Sequence, residues 1–386
     1  MLAGDLSRQS LRFNRHEWAG AFGDIGTDFP LMVGMILASG LDAASVLFMF
    51  GAMQVVTALT YRMPMPVQPL KAVAVLVISQ KLTGNVIYGA GLAIGAVMLV
   101  LTATRALEWL ARVIPKTVVR GIQFGLGVQL VQLALRQYIP ADGTVGYALA
   151  GIGFVVAVVL LGNHRLPAAL ALIALGIGYA VLFRWSEVAA LPAVAVHLPQ
   201  WHVPAWSDIV TGFLVLALPQ IPLSLGNSIL ATRQVAQDFF PDRPLTVRRI
   251  GLTYSLMNLI APWFGGVPVC HGSGGMAGHY AFGGRTGGSV LIYGGLYLAL
   301  GLFFSDGFAA LTKVFPLPVL GVILLFEGLT LLTLVRDLSD SKPDFVMALL
   351  LGLIAGGLPY GYVIALVAGT ALVYAVRAGK IRVTTE

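Results

Sequence analysis

Long apolar runs, interrupted by proline, glycine and charged residues, recur from one end of the chain to the other. A bilayer core of about 30 Å is crossed by about 20 helical residues, so a run of this length predicts a membrane-spanning helix. The pattern predicts an all-α integral membrane protein with about fourteen such segments. We place them at 17–39, 43–61, 69–81, 85–112, 116–136, 145–162, 166–184, 207–233, 246–264, 271–283, 287–310, 316–335, 343–358 and 361–377.

The composition strengthens this prediction. Of the 386 residues, 58% are hydrophobic and 11% are charged, against about 25% charged in a soluble domain. We assign the net charge of +7 to cytoplasmic loops rather than to nucleic-acid binding. Residues 1–16 are polar and basic and lack the apolar core of a signal peptide, which predicts a cytoplasmic leader. The single cysteine excludes an intramolecular disulfide.

The positive charges predict how the segments are oriented. If the N-terminus is cytoplasmic and all fourteen segments cross, nineteen lysines and arginines fall on the inner side. The outer side receives only Lys81, Arg136, Arg184 and Lys313. Because cytoplasmic loops of membrane proteins carry an excess of Lys and Arg, we expect both termini in the cytoplasm and the protein in a bacterial-type inner membrane.

The third and tenth segments are too short to span a bilayer by themselves. Each follows an extended stretch that contains proline, RMPMPVQP before the third and GGVPV before the tenth. They are seven segments apart, so they hold the same place in two halves of seven segments. An odd number of spans per half inverts the second half, and short interrupted helices at matching places are typical of the binding sites of inverted-repeat transporters.

Residues 265–288, GGVPVCHGSGGMAGHYAFGGRTGG, form a polar and glycine-rich stretch between two apolar runs. Non-helical backbone is tolerated at membrane depth where it is buried in protein or lines a wet cavity. Two half-helices that begin near the midplane point their N-termini at each other, and their free N–H groups favour an anion. The sequence therefore predicts an anion site where the third and tenth segments begin.

Four stretches resemble the signature segments of one known family. They are EWAGAFGDIGTDFP (17–30), PMPVQPLKAVA (64–74), LPQIPLSLGNSIL (218–230) and GGVPVCHGSGGMAGHYAFGGRTG (265–287). In this order they resemble the molybdate transporter family, which is related to the SulP sulfate permeases. The resemblance covers nearly the whole chain. It implies a seven-plus-seven inverted repeat like that of uracil permease, with short half-helices 3 and 10 meeting at mid-membrane.

The resemblance also implies two domains. A core domain would comprise 17–112 and 207–310, and a gate domain would comprise 113–206 and 311–386, with a short cytoplasmic tail at the end. It further implies high-affinity uptake of molybdate, with the substrate held between segments 3 and 10 and flanked by segments 1 and 8.

Polar residues on these four segments are the candidates for contact with a tetrahedral oxyanion. Lys71 would neutralise charge, or would instead pair with Asp24 or extend to an interface. The amides, hydroxyls and glycine backbone would donate hydrogen bonds, although Ser and Asn also join helices in membranes. The predicted contact residues are Thr27, Gln68, Lys71, Gln220, Asn227, Ser228, Cys270, His271, Gly272, Ser273, Gly274 and Gly275.

Ionisable residues inside membrane segments are functional candidates by default. Asp24 and Asp28 lie four residues apart on one helix face, and a carboxylate beside a dianion repels it unless it is protonated. His271 can titrate near neutral pH, and Glu327 lies in the predicted gate domain. These four residues are the candidates for proton coupling. The alternatives are helix–helix hydrogen bonds for Asp24 and a structural bond to a carbonyl for His271.

The neighbouring Cys270 and His271 do not predict an enzyme or a metal site. Adjacent side chains point about 100° apart on a helix and to opposite faces on a strand. A zinc site would also need further ligands that we do not find in the sequence. A phosphate-binding GxxxxGK[ST] loop is absent, so we expect no ATP hydrolysis. We also expect no cofactor.

We therefore expect a secondary active transporter that imports molybdate by an elevator-like movement coupled to protons. Sulfate, tungstate or oxyanions in general stay open as alternative substrates, because these dianions share charge and shape. An anion channel built on the same site is a further alternative. The expected partners are the substrate, the proton, the lipid bilayer and, by analogy with the fold, a second copy of the chain in a homodimer.

Overall fold

The computed structural model describes residues 10–161, 163, 168–189 and 194–381, and this part of the chain is almost entirely helical. Residues 1–9 of the predicted leader, the start of the seventh segment at 166–167 and residues 382–386 of the tail lie outside the described residues. The elements in chain order are α1 (Arg15–Ala21), α2 (Ile25–Ser39), α3 (Ala43–Tyr61), β1 (Gln68–Pro69), α4 (Lys71–Gln80), α5 (Gly84–Ala103), α6 (Ala106–Val113), α7 (Lys116–Leu133), α8 (Gly143–Val159), α9 (Ala168–Phe183), α10 (Trp185–Ala189), α11 (Trp206–Gly212), α12 (Leu218–Leu223), α13 (Thr232–Phe239), α14 (Val247–Ile260), β2 (Val269–Cys270), α15 (Ser273–Ala281), α16 (Gly288–Phe303), α17 (Ser305–Val314), α18 (Leu317–Thr333), α19 (Lys342–Gly357) and α20 (Gly361–Arg377).

Two π-helical stretches, Phe213–Ala217 and Ser224–Ala231, join α11, α12 and α13 into one continuous helix. This helix ends at Phe239, beyond the predicted limit of the eighth segment at 233. Single π-helical turns frequently mark functional sites. The second stretch contains two of the predicted contact residues, Asn227 and Ser228.

Each of the fourteen predicted segments contains at least one helix within the described residues. In the part of the chain that the structure describes, six stretches are long and apolar enough to cross a bilayer by themselves: Arg15–Ser39, Ala43–Tyr61, Gly84–Ala103, Lys116–Tyr138, Trp206–Phe239 and Leu317–Leu338. The bent pair α16–α17 would make a seventh, and α4, α8, α9 and α20 are shorter apolar helices. A multi-pass membrane protein is thus confirmed, whereas the number of fourteen crossings stays a prediction.

Besides the first segment, which breaks at residues 22–24 between α1 and α2, two predicted segments are each divided into two helices. The segment 85–112 ends as a continuous helix at Ala103, because Arg105 adopts a left-handed backbone (φ 61°) before α6 begins. The segment 287–310 breaks after Phe303, where α17 leaves α16 at 93°. Both α6 and α17 are amphipathic, which is typical of helices that lie along a membrane surface. Charged residues stand at both breaks, Arg105 and Asp306. The prediction continued each helix through its charged residue, so the predicted segments were too long.

The two short helices begin side by side. Each follows a two-residue strand, and β1 pairs with β2 in antiparallel fashion. Gln68 lies opposite Cys270, and Pro69 lies opposite Val269. The pairing brings the start of α4 next to the start of α15, as the inverted repeat predicts.

A matched pair of side chains holds the two strands in place. Gln54 on α3 accepts a hydrogen bond from the Val67 N–H at 2.9 Å and donates to the Val67 carbonyl at 2.8 Å. Asn258 on α14 brackets Val269 in the same way, at 2.9 Å and 2.6 Å. Because α3 and α14 are the second spans of their respective halves, these contacts display the internal repeat of the fold.

The helices pack in two groups. In the first, α3 packs against α16, and α5 packs against α11 and α14; in the second, α7 packs against α18 and α19, and α19 packs against α20. Close crossings depend on glycine: a Cβ on Gly51 would lie 2.6 Å from the carbonyl oxygen of Gly294. We call the first set the core group and add α2, α4 and α15 to it. We call the second set the gate group and add α8 and α9 to it. The exact domain boundaries stay a prediction.

Candidate substrate-binding site

A cavity of about 200 Å³ lies where the two short helices begin. Its walls come from α2, α4, α15, α18 and the continuous helix α11–α13. It is lined by Thr27, Gln68, Lys71, Gln220, Leu223, Asn227, Ser228, Cys270, Gly272, Ser273, Gly274, Thr330, Leu331 and Leu334. The fold thus brings ten of the twelve predicted contact residues together from four separate parts of the chain.

The start of α15 presents backbone to the cavity. The helix begins at Ser273 with Gly272 as its N-cap, and no side chain caps this end. The first N–H groups of a helix have no partner within it, and they carry the positive end of the helix dipole. Gly272, Ser273 and Gly274 all line the cavity, so these donors are available to an anion there.

The start of α4 presents side chains instead. The helix begins at Lys71, and the Ala72 N–H donates to Oε1 of Gln220 at 2.9 Å. Gln220 also donates from Nε2 to the Ser224 hydroxyl at 3.1 Å, so both ends of its amide are in use. Gln220 therefore fixes the continuous helix against α4, and Lys71 supplies the charge at this helix start.

Asp24 lies in a break between α1 and α2 and is held inside the protein. Nε2 of Gln68 lies 2.6 Å and 2.8 Å from its two carboxylate oxygens. The break approaches α15 closely, since a Cβ on Gly23 would lie 2.4 Å from the Gly278 carbonyl. A Cβ on Gly275 would lie 2.1 Å from Oδ2 of Asp24. Gly275 therefore makes room for Asp24 and, contrary to the prediction, does not line the cavity.

Glu327 of α18 reaches the cavity residues from the gate group. Its Oε2 lies 3.7 Å from Nζ of Lys71, and its Oε1 accepts a hydrogen bond from the Thr27 hydroxyl at 3.3 Å. Among the residues that the structure describes, Lys71 is the only lysine or arginine lining the cavity. The ion pair differs from both sequence alternatives for Lys71, a pair with Asp24 and extension to an interface.

His271 is buried and points away from the cavity. Its Nε2 lies 2.7 Å from the Thr253 hydroxyl, and its Nδ1 lies 3.2 Å from the Pro66 carbonyl. Because side chains alternate along an extended backbone, Cys270 and Gly272 face the cavity while His271 faces the protein. The roles considered for His271 are substrate contact, proton coupling and a structural bond to a carbonyl. The geometry favours the structural bond.

Asp28 is fully buried on α2 and does not line the cavity. Within the described part of the chain, its carboxylate oxygens meet no N–H donor and no hydroxyl donor, and they lie near the carboxyl group of Asp24, with which a hydrogen bond forms only if one of the two acids carries a proton. An unpaired carboxylate is costly in the interior of a membrane protein. This burial keeps Asp28 among the candidates for coupling.

Four lining residues were not predicted: Leu223, Thr330, Leu331 and Leu334. Thr330 lies three residues after Glu327, so the two share a helix face and the spacing could have indicated it. The leucines carry no such signal, because leucine occurs in every apolar segment. They supply the apolar part of the cavity lining.

The cavity offers one ammonium group, several neutral donors and an open helix end. No group of three or more His, Cys, Asp or Glu residues is placed to hold a metal ion in the ranges that the structure describes. Preorganised donors around a single cation suit a small oxyanion.

Known families and curated relatives agree with the motifs. The family described as molybdate transporter of the MFS superfamily matches residues 16–130 and 212–331. Molybdate transporter 2 of Arabidopsis thaliana is 33% identical over 90% of this chain and 86% of the relative. Molybdate transporter 1 of the same plant is 31% identical over 88% of this chain and 86% of the relative.

Solved structures agree with the predicted fold. The transmembrane domain of the cyanobacterium bicarbonate transporter BicA superposes with a TM-score of 0.67 at 17% identity, covering 91% of this chain and 99% of that one. The murine solute carrier 26 family member A9 anion transporter in the inward-facing state superposes with a TM-score of 0.71 at 12% identity, covering 97% and 70%. These likenesses confirm the fold, and the family match confirms a transporter rather than an enzyme. The chain belongs to the molybdate transporter family.

Proposed function

We propose that the protein is a secondary active transporter that imports molybdate. The observation that carries the proposal is the cavity at the starts of α4 and α15, where a lysine and an uncapped helix end converge. The substrate is taken from the names of the relatives, which are molybdate transporters. The membrane is a bacterial-type inner membrane, with both termini in the cytoplasm.

The dianion would lie between the two helix starts. A helix N-terminus acts as about half a positive charge, so two such ends and Lys71 together would offset a charge of about −2. Ser273 and Gly274 would donate from the start of α15, and Asn227 and Ser228 would donate from the facing helix. Such a ring of donors fits the four oxygens of a tetrahedral ion.

Sulfate is the principal alternative substrate, with tungstate as a further one. Hydrogen-bond donors recognise oxygens that all three ions share, so they discriminate little. Discrimination would come from size, and Leu223, Leu331 and Leu334 form the wall that limits size.

We assign the coupling ion as a proton. Asp24, Asp28 and Glu327 all interact electrostatically with Lys71, and a dianion added to three ionised carboxylates would be repelled strongly at low dielectric. Protonation of one carboxylate would relieve that repulsion. His271 is the weakest of the four coupling candidates, because both of its ring nitrogens are already within hydrogen-bond distance of protein oxygens.

The cavity lies between the two helix groups, which is the arrangement an elevator-like movement requires. The core group, with α4 and α15, would carry the ion, and the gate group, with α18, would stay in place. A homodimer would hold the gate groups fixed in the membrane.

Uptake into proteoliposomes tests the proposal. Trace labelled molybdate is supplied with and without an inward proton gradient, and with excess sulfate, and protein-free liposomes serve as the control. Gradient-dependent accumulation above equilibrium that resists sulfate is the expected result. Equal competition by sulfate would indicate a general oxyanion permease, and flux that never accumulates would indicate a channel and overturn the proposal.

A further inference from the structure

Glu327 connects the two helix groups at the edge of the cavity. It lies on α18, which packs against α7 and α8 of the gate group. Its partners, Lys71 and Thr27, lie on α4 and α2 of the core group. The contact therefore joins the part that would move to the part that would stay.

The ion pair also occupies the charge that an anion in the cavity needs. Lys71 lines the cavity, and in the described residues no other lysine or arginine does. An oxyanion at the helix starts must take the ammonium group from Glu327 or share it. Sharing places the anion and a carboxylate on one cation in a partly dry site, where like charges repel strongly. The side chains of Lys71 and Glu327 are 29% and 16% exposed, so screening by water is incomplete.

The other acids near Lys71 are placed differently. Asp24 and Asp28 interact electrostatically with Lys71, but they lie on the core group with it. Asp24 is in addition held by Gln68. A movement of the core group would carry both acids along with Lys71 and would leave Glu327 behind.

We propose that the Lys71–Glu327 ion pair is a latch, which holds the empty protein in the present conformation and which the bound oxyanion opens. The inference rests on the proposed function, because it takes the cavity as the oxyanion site. Binding draws the Lys71 ammonium group to the anion and leaves Glu327 with the Thr27 hydroxyl alone. The loaded protein then changes conformation more readily than the empty one.

Equilibrium binding of labelled molybdate to the purified protein provides the first test. Glu327→Gln removes the competing charge and keeps the size of the side chain and an acceptor for Thr27. We expect its Kd for molybdate to be about threefold to tenfold lower than that of the wild type, since the anion no longer displaces a partly exposed ion pair. Asp142→Asn is the matched control. It removes a pair within the gate group, Asp142–Arg184, of similar length (3.6 Å) and exposure (26% and 28%), and should leave the Kd unchanged.

The effect of internal substrate on uptake provides the second test. In proteoliposomes of the wild type, internal molybdate should accelerate uptake, because the loaded protein returns faster than the latched empty one. In Glu327→Gln, the ratio of the uptake rate with internal molybdate to the rate without it should fall towards one. Glu327→Asp keeps the charge on a shorter side chain, so its ratio should lie between that of the wild type and that of Glu327→Gln. If Glu327 were needed only for folding, its replacement would lower the uptake rates with and without internal molybdate by the same factor, and their ratio would not change.

The outcomes separate the two proposals. If the wild type binds neither molybdate, sulfate nor tungstate, the proposed function fails. If the wild type binds but Glu327→Gln binds equally or more weakly and keeps its acceleration, the latch is overturned and the proposed function stands. Should Glu327→Gln not fold, Glu327→Asp decides: an intermediate effect supports the latch, and wild-type values overturn it.

Discussion

The starts of α4 and α15 share a scaffold but differ in chemistry. Equivalent amides, Gln54 in the first half and Asn258 in the second, bracket the strand region before each helix. The start of α4 then carries the Lys71 ammonium group and is partly capped by Gln220. The start of α15 is uncapped and offers backbone N–H groups and the Ser273 hydroxyl. The repeat thus supplies a common frame, in which the first half provides charge and the second provides neutral donors.

Removal of the charge at α4 should have the largest effect. We expect Lys71→Gln to raise the Kd for molybdate about thirtyfold or more. The bound anion would lose its charged partner, the Lys71 ammonium group, and losing one partner of a buried charge pair costs about 2–5 kcal/mol. Equilibrium binding measures the change. The control is Lys81→Gln at the exposed end of the same helix, which should bind as the wild type does. Wild-type affinity in Lys71→Gln would mean that α4 does not supply the charge.

The shared frame should make the two halves equally sensitive to the loss of their amides. We expect Gln54→Leu and Asn258→Leu each to lower the free energy of unfolding by about 1–3 kcal/mol, because each strands a buried backbone N–H and C=O without partners. The fall in melting temperature in detergent measures the loss, with the exposed Gln234→Leu as the control. A large loss in one half alone would contradict a common frame.

The neutral donors of α15 should contribute less each than the charge of α4. We expect Ser273→Ala to raise the Kd for molybdate about threefold to tenfold, since one neutral hydrogen bond contributes about 0.5–1.5 kcal/mol and the backbone donors stay in place. Ser79→Ala, which removes a hydroxyl bonded to its own helix, should leave the Kd unchanged. A loss as large as that of Lys71→Gln would show that the two halves do not divide their tasks in this way.

Much of this frame could be predicted from the sequence. Proline and glycine at matching places located the half-helices, because a membrane helix of ten residues cannot span a bilayer. The placement of the half-helices then indicated most of the residues that line the cavity. His271 and Gly275 are the exceptions, since neither lines the cavity. For His271, the alternation of an extended strand, which turns Cys270 and His271 to opposite sides, already indicated this outcome.

Other features depend on contacts that apolar patterns do not encode. The turn at Arg105 that separates α5 from α6 is a matter of backbone conformation, since an arginine can equally well continue a helix. The pair between Lys71 and Glu327 joins residues far apart in the chain, and its existence depends on how α18 packs beside α2. Hydropathy predicts that a helix lies in a membrane, but it does not predict which other helix it packs against.

The smallest effect is expected at Cys270, which lies opposite Gln68 in the paired strands. Gln68 fixes the Asp24 carboxylate, whereas the Cys270 thiol lines the cavity and can be replaced by a hydroxyl of nearly the same shape. We expect Cys270→Ser to change uptake by about twofold or less, because the exchange keeps the shape of the side chain and one hydrogen-bonding group. A thiol reagent should block the wild type and spare the variant, because the bulky adduct fills the cavity. Loss of uptake in Cys270→Ser with intact binding would instead assign the thiol a chemical role, which a transporter does not require.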